Sequence, residues 1–291
     1  MRTTRKAPSP SAIEPAKLNP LPELPALLVE PGDPSRPSWI VVADLHLGLG
    51  APHRQPEGLP ESRAEDLAAG LIEASSHGAV TRVVIAGDVK HPIVGVPRPL
   101  RSVIFDFFST LLAEGLEPEV VLGNHDVGLV RHLPKEVVVH SSSGLLRDGV
   151  GVFHGHTWPS SALLRAPQLI AGHLHPGFRF AATADAAFSK RRCWLRVQYP
   201  EWPAHRHRRR VRVHDLRARE LIVLPAFNPL AGTESLNVAR PKRSRTFLFQ
   251  RFLAPGIVRA YLMDGTDLGP LPTLPEGDLP TGSGKVAPRG R

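Results

Sequence analysis

Between Trp39 and Asp126 the sequence alternates twice between a short aliphatic run and a longer stretch of helical periodicity. "SWIVVADLHLG", "RVVIAGD" and "PEVVLGNHD" have strand length. "SRAEDLAAGLIEASSHG" and "LRSVIFDFFSTLLAEG" lie between them, with apolar residues at helical spacing. A β-α-β-α-β order predicts strands joined by crossover helices, and hence an α/β core. Ser62, with Glu65 three residues on, predicts the N-cap of the first helix, and Gly78 its end.

Each of these strands stops at residues that a purely packing strand does not need. "VVLGNHDVGL" breaks at Gly123 and delivers Asn124, His125 and Asp126 without a gap. "VVADLHLG" delivers Asp44 and His46; residues two apart on a strand share a face, so a carboxylate and an imidazole leave on one side. "VVIAGDVKH" delivers Asp88 after Gly87, and His91 beyond it. Further on, "GVFHGH" gives His154 and His156, and "LIAGHLHP" gives His173 and His175. Open α/β sheets place their sites outside the carboxyl ends of the strands, so the five segments are expected to converge on one crevice. His91 and His156 are expected beside the ligands or facing the substrate.

The remainder predicts one domain over residues 23–264. Short strands are expected at "KEVVVHS" and "GVGVFHGH", and a helix or turn leading into a strand at "SSALLRAPQLIAGHLHP". From Phe178 onward helical patterns give way to "FRFAATA", "RCWLRVQ", "ELIVLPAF" and "RTFLFQRFLAPGIVRAYLM", read as β-rich closure of the same domain. Residues 199–219 form a basic insertion. Residues 1–22 have the composition of a Pro-rich disordered lead, and residues 265–291 that of a disordered tail. The first residues are basic but lack an apolar segment, so a secretory signal is not expected. No apolar run reaches the ~18 residues of a membrane span. The single cysteine, Cys193, excludes an internal disulfide framework and fits a reducing cytoplasm. A formal net charge of +9 and a pI of about 10.4 favour polyanionic partners.

Taken in order, D-x-H, G-D, G-N-H-D, H and G-H-x-H resemble the signature of the calcineurin-like metallophosphoesterases, with all five elements intact between Trp39 and Pro176. "ADLHLG", "AGDVKH", "GHLHP", "KRRCWLRV" and "LPAFNPLAG" are similar to archaeal phosphoesterases related to the nuclease subunit SbcD. They are also similar to bacterial ligase-associated phosphoesterases of DNA repair. The narrower resemblance reaches Val238 and fails at the basic insertion and both tails.

The resemblance implies a four-layer α/β/β/α metallophosphoesterase sandwich holding two divalent metal ions. By position, Asp44, His46 and His175 would bind one ion, Asn124, His154 and His173 the other, and Asp88 both. A donor set of carboxylate, amide and imidazole without thiolate suits Mn²⁺, which is favoured, or Fe or Zn²⁺. His125 would stabilise charge or protonate the leaving oxygen, and Asp126 would orient His125 and raise its pKa. The expected function is phosphodiester hydrolysis by a dinuclear metal-bound hydroxide, with DNA as the substrate. Arg206, Arg208, Arg209 and Arg210 in "HRHRRRVRVHDLRAR" are the candidates for holding its phosphates. The alternative is a small-molecule phosphatase or cyclic-nucleotide phosphodiesterase. A non-catalytic scaffold is disfavoured by the intact ligand set.

Overall fold

The computed structural model describes residues 14–50, 60–78, 80–180, 189–199, 218–237, 247–253 and 256–271. The first sheet has six strands in sequence order: β1 (Lys17–Pro20), β2 (Leu27–Glu30), β3 (Trp39–Val42), β4 (Arg82–Ile85), β5 (Glu117–Val121) and β6 (Val138–His140). β3 to β6 run parallel, while β1 and β2 fold back antiparallel at the edge.

The crossovers are α1 (Pro60–Ser76) and α2 (Arg98–Ala113). Pro60 occupies the first position of α1, where a missing N–H costs nothing, so the helix begins two residues before Ser62. In α2 the buried side chains Leu100, Val103, Ile104, Phe107, Phe108 and Leu111 follow helical spacing. Gly115, at φ 76°, ends that helix in the left-handed conformation.

The second sheet contains β7 (Leu145–Arg147), β8 (Val150–Phe153), β9 (Gln168–Ala171), β10 (Pro176–Phe180), β11 (Ser189–Gln198), β12 (Glu220–Val223) and β13 (Glu234–Ser235), ordered β13-β10-β11-β12-β9-β8-β7. β14 (Ile257–Leu262) pairs with β11, and β15 (Asp267–Pro270) with β14. The β-rich closure expected after Phe178 is thus part of this sheet. β1 and β15 correct the expected limits of disorder: both lie in the Pro- and Gly-rich termini, yet each gains a ladder of main-chain hydrogen bonds from a neighbouring strand. Residues 1–13 and 272–291, and nearly all of the basic insertion with its four candidate arginines, lie outside the described residues.

Period-two alternation sorts the apolar side chains into three cores. Ile40, Val42, Val83, Ile85 and Val120 face α1 and α2. Trp39, Val41, Val84 and Val121 meet Val152, Ile170 and Ile222 between the sheets. Phe153, Leu169, Leu195, Val197 and Val223 fill the far face of the second sheet under Leu163, Leu164, Leu248 and Phe252. The layers are therefore helix, sheet, sheet and a thin outer cover. That cover uses a four-residue helix, α3 (Ser161–Leu164), and a five-residue π-helix at Phe249–Leu253, shorter than the helical pattern of "SSALLRAPQLIAG" suggests. Among the described residues no helix is long and apolar enough to cross a membrane.

Candidate metal centre

The carboxyl ends of β3, β4, β5, β8 and β9 meet where the two sheets approach. β3 ends at Val42 and β9 at Ala171, so Asp44, His46, His173 and His175 lie beyond their strands. Strand alternation does not align them. Both members of each pair have positive φ instead: Asp44 60°, His46 44°, His173 70° and His175 46°. Asp88, at 53°, shares this conformation. Left-handed backbone is unfavourable for these residues, and surrounding structure must hold it. The residues between are anchors: Leu45 is buried in the helix-side core and Leu174 in the outer core of the second sheet.

Main-chain bonds fix the turns. The amides of Asp44 and His46 donate to the carbonyls of Gly87 and Asp88 at 3.0 and 2.9 Å. Across the sheets, His173 N–H donates to Asp44 Oδ2 at 3.0 Å; within the first sheet, His125 N–H donates to Asp88 Oδ1 at 2.9 Å. Two glycines permit this closeness. A Cβ on Gly172 would stand 2.6 Å from Ala43 Cβ, and one on Gly123 2.2 Å from Asp88 Oδ1.

Among the described residues three donor groups result, each with its ligand atoms within 4.8 Å of one another: Asp44–His46–His175, Asp88–His154–His173, and the all-imidazole group His46–His91–His125; the first two contain the carboxylates. In the first, Nε2 of His175 lies 3.3 Å from Asp44 Oδ1 and 3.3 Å from Nε2 of His46. In the second, Nε2 of His154 lies 3.2 Å from both Asp88 Oδ1 and the Asn124 amide oxygen. Asp88 also reaches the first cluster, with Oδ2 3.8 Å from Nε2 of His46. The structure thus brings together all seven predicted ligands and sets Asp88 between the clusters.

The residues fit divalent cations. His154 and His175 direct Nδ1 at the carbonyls of Ala86 and Ala231, at 2.8 and 3.2 Å. A carbonyl on one ring nitrogen fixes the ring and turns the other nitrogen toward the acids, the usual orientation of a metal-binding imidazole. Asp44 and Asp88 are almost wholly buried, facing imidazoles and backbone amides. Burial alone would raise both carboxyls. Hydrogen bonds and charge from His175 and His154 outweigh it, and both lie below the ordinary carboxylate range. Burial likewise disfavours protonated His154, but Asp88 and Asp44 lift it to about 9. His46 and His173 are pushed down to about 4, mainly by burial. His46 and His173 are thereby favoured as neutral imidazoles, the form in which the side chain binds a metal.

His125 stands at the mouth of the site, its side chain 17% exposed and its Nε2 3.8 Å from Asp88 Oδ2. Its Nδ1–H donates to the carbonyl of His91. Asp126 therefore does not orient the ring as expected. Its carboxylate accepts main-chain N–H from Gly123 at 2.8 Å, Asp88 at 2.9 Å and Val89 at 2.9 Å. It ties the β5 exit to the β4 exit. His91 lies beside His125 with ring centroids 5.8 Å apart, and His156 lies 5.3 Å from His154 with a buried Nδ1 that has no hydrogen-bond partner among the described residues.

Three supports have no individual signal in the sequence. Asn228 donates to the carbonyl of Leu45 at 2.8 Å, and Arg192 to that of Ala226 at 3.1 Å. With Ala231 O on His175, they make the 226–231 loop a brace behind the first cluster. "LPAFNPLAG" and "KRRCWLRV" carry these residues, and the Asn-Pro dipeptide marks a turn, which the Asn228 side chain closes by accepting Leu230 N–H at 2.9 Å.

No protein-family model and no curated protein matches the sequence. Among solved structures, the chain is similar to the Pseudomonas putida nuclease MPE with a TM-score of 0.50 and 17% identity, over 87% of this chain and 100% of that one. It is also similar to Yfce, a phosphoesterase from E. coli, with a TM-score of 0.31 and 18% identity, over 50% of this chain and 74% of that one. The first likeness establishes the fold: the α/β sandwich is shared with that nuclease. The second is too distant to carry an argument.

Proposed function

We propose that the protein is a metal-dependent hydrolase of phosphodiester bonds, with DNA as its substrate and two divalent ions, Mn²⁺ foremost, as its cofactor. The observation that carries this is the pair of three-residue donor clusters with Asp88 within reach of both. Asp44, His46 and His175 would hold one ion, Asn124, His154 and His173 the other, and Asp88 both. When bound, such ions supply a nucleophile from water at neutral pH and neutralise charge on the phosphoryl group.

The chain's own residues account for the rest. The buried carboxylates and inward-facing imidazoles fix where a phosphoryl group can sit. His125 offers Nε2 at the mouth of the site, from which it stabilises charge on the departing oxygen or gives it a proton. Asp126 keeps the loop carrying His125 in register with Asp88. The choice of DNA is supported by the motif resemblance, by the fold shared with a nuclease, and by the net charge of +9.

The test is hydrolysis of bis-p-nitrophenyl phosphate with and without added Mn²⁺, run beside plasmid nicking and a panel of nucleotides. Metal-dependent diester hydrolysis with nicked plasmid is the expected result. No hydrolysis with Mn²⁺, Fe²⁺ or Zn²⁺ would sink the enzymatic reading. Turnover of nucleotides alone would replace DNA with a small-molecule substrate.

A further inference from the structure

Lys90 is completely buried in the loop after β4, between Asp88 and His91. A lysine is almost never fully buried without compensation. Here the ammonium donates to main-chain oxygens, those of Pro92 and His125 and, at 3.5 Å, Ile93. The next residue completes the arrangement: the carbonyl of His91 receives Nδ1–H of His125. One segment thus grips His125 twice, at its backbone through Lys90 and at its ring through His91. The segment itself is anchored, since His91 N–H donates to Leu47 O at 2.9 Å and Leu47 bridges to Lys90.

We propose that Lys90 is a positioning residue for His125: its ammonium locks the 91–93 turn onto the loop after β5, so that the His91 carbonyl holds the imidazole toward the substrate. This rests on the reading of His125 as the group that assists the leaving oxygen. The hydrogen bonds of the Lys90 ammonium go to main-chain carbonyls, that of His125 among them, and its effect passes through His125. Without the ammonium, three carbonyls lose their donor and the turn can shift. A displacement of about 1 Å costs up to ~10²-fold in rate.

The experiment is a double-mutant cycle on kcat, with bound metal measured for every variant. Lys90→Met keeps the length and apolar body of the side chain but removes the three donors. It is expected to lower kcat by about 10- to 100-fold with KM nearly unchanged and metal retained. In the His125→Ala background the same change is expected to alter kcat by less than about twofold, because the group it positions is gone. An equal loss in both backgrounds, or no loss in either, overturns the proposal. If Lys90→Met does not fold, Lys90→Gln, which keeps an amide donor, takes its place in the same cycle with a smaller loss. If His125→Ala leaves kcat unchanged, the role of His125 fails and the clamp with it, while metal-dependent hydrolysis stands.

Discussion

Two clusters of buried carboxylate and histidine join the sheets, and they solve the same electrostatic problem differently. Around Glu119 on β5 the cations that face the acid include two permanent ones, Arg82 and Arg147. Its carboxylate pairs with Arg82 at 3.0 Å, with Arg147 of the second sheet at 2.8 Å and with His140 at 2.7 Å. None of these four residues has positive φ. In the candidate centre, Asp44 and Asp88 meet imidazoles, whose charge is conditional, and the backbone beneath them is held in left-handed turns. Guanidinium groups saturate an acid and leave it structural. Two of the imidazoles, His154 and His175, commit one nitrogen to a carbonyl and turn the other toward the acids, an arrangement that could hold a metal ion.

The sharpest way to break this contrast is Asp88→Asn. Removing the charge within reach of both clusters should release metal and lower turnover by several kcal/mol of transition-state stabilisation, about 10³-fold or more. Two ions per chain with unchanged turnover would end the assignment. His125→Ala comes next: metal should remain bound while kcat falls by about 10²-fold. The loss should shrink for p-nitrophenol, which departs without a proton. An equal loss across leaving groups would mean that His125 acts by charge alone.

A third substitution separates the sheets' packing from their chemistry. Gly172→Ala adds a methyl against Ala43 and Asp44 at the seam. Overpacking of this kind costs about 1–3 kcal/mol. The thermal midpoint and the metal content should therefore fall together. A loss of stability with full metal occupancy would show that the seam tolerates displacement without disturbing the ligands.

These positions also mark how far the sequence can be read. The α/β core, the two crossover helices and the convergence of Asp44, His46, Asp88, Asn124, His154, His173 and His175 follow from local patterns: apolar runs, helical spacing and ligand-type residues past strand ends. What aligns the paired ligands does not, because two-residue alternation and a left-handed turn leave the same D-x-H in the sequence. The role of Asp126 is misread for a related reason. Its adjacency to His125 is visible in the sequence, whereas its bonds to amides 37 and 38 residues away exist only in the fold. Asn228 reaches Leu45 across 183 residues. The terminal strands β1 and β15 carry too few apolar residues to announce themselves, and they form because a partner edge is present.

The Glu119 cluster offers the smallest effect and the most selective one. Burial raises the Glu119 carboxyl, but hydrogen bonds from His140 and Arg147, with their charge, more than offset this and hold it below its ordinary value of 4.5. A carboxyl depressed in the folded state contributes stability above its unfolded pKa, and loses it as pH falls through the folded pKa. Glu119→Gln should therefore lower stability at pH 7, on the order of 1 kcal/mol because Arg82 is a third exposed and screened by solvent. The gap to the wild type should close as pH drops below 4.5, where the wild-type carboxyl takes up a proton and becomes as neutral as the amide. Metal content and kcat at pH 7 should match the wild type, since the acid is saturated by arginine and takes no part in the centre. A gap that persists into acid would mean that the substitution destabilises by its shape. A loss of metal would mean that the two clusters are coupled through β5, and that the contrast between them is not one of independent sites.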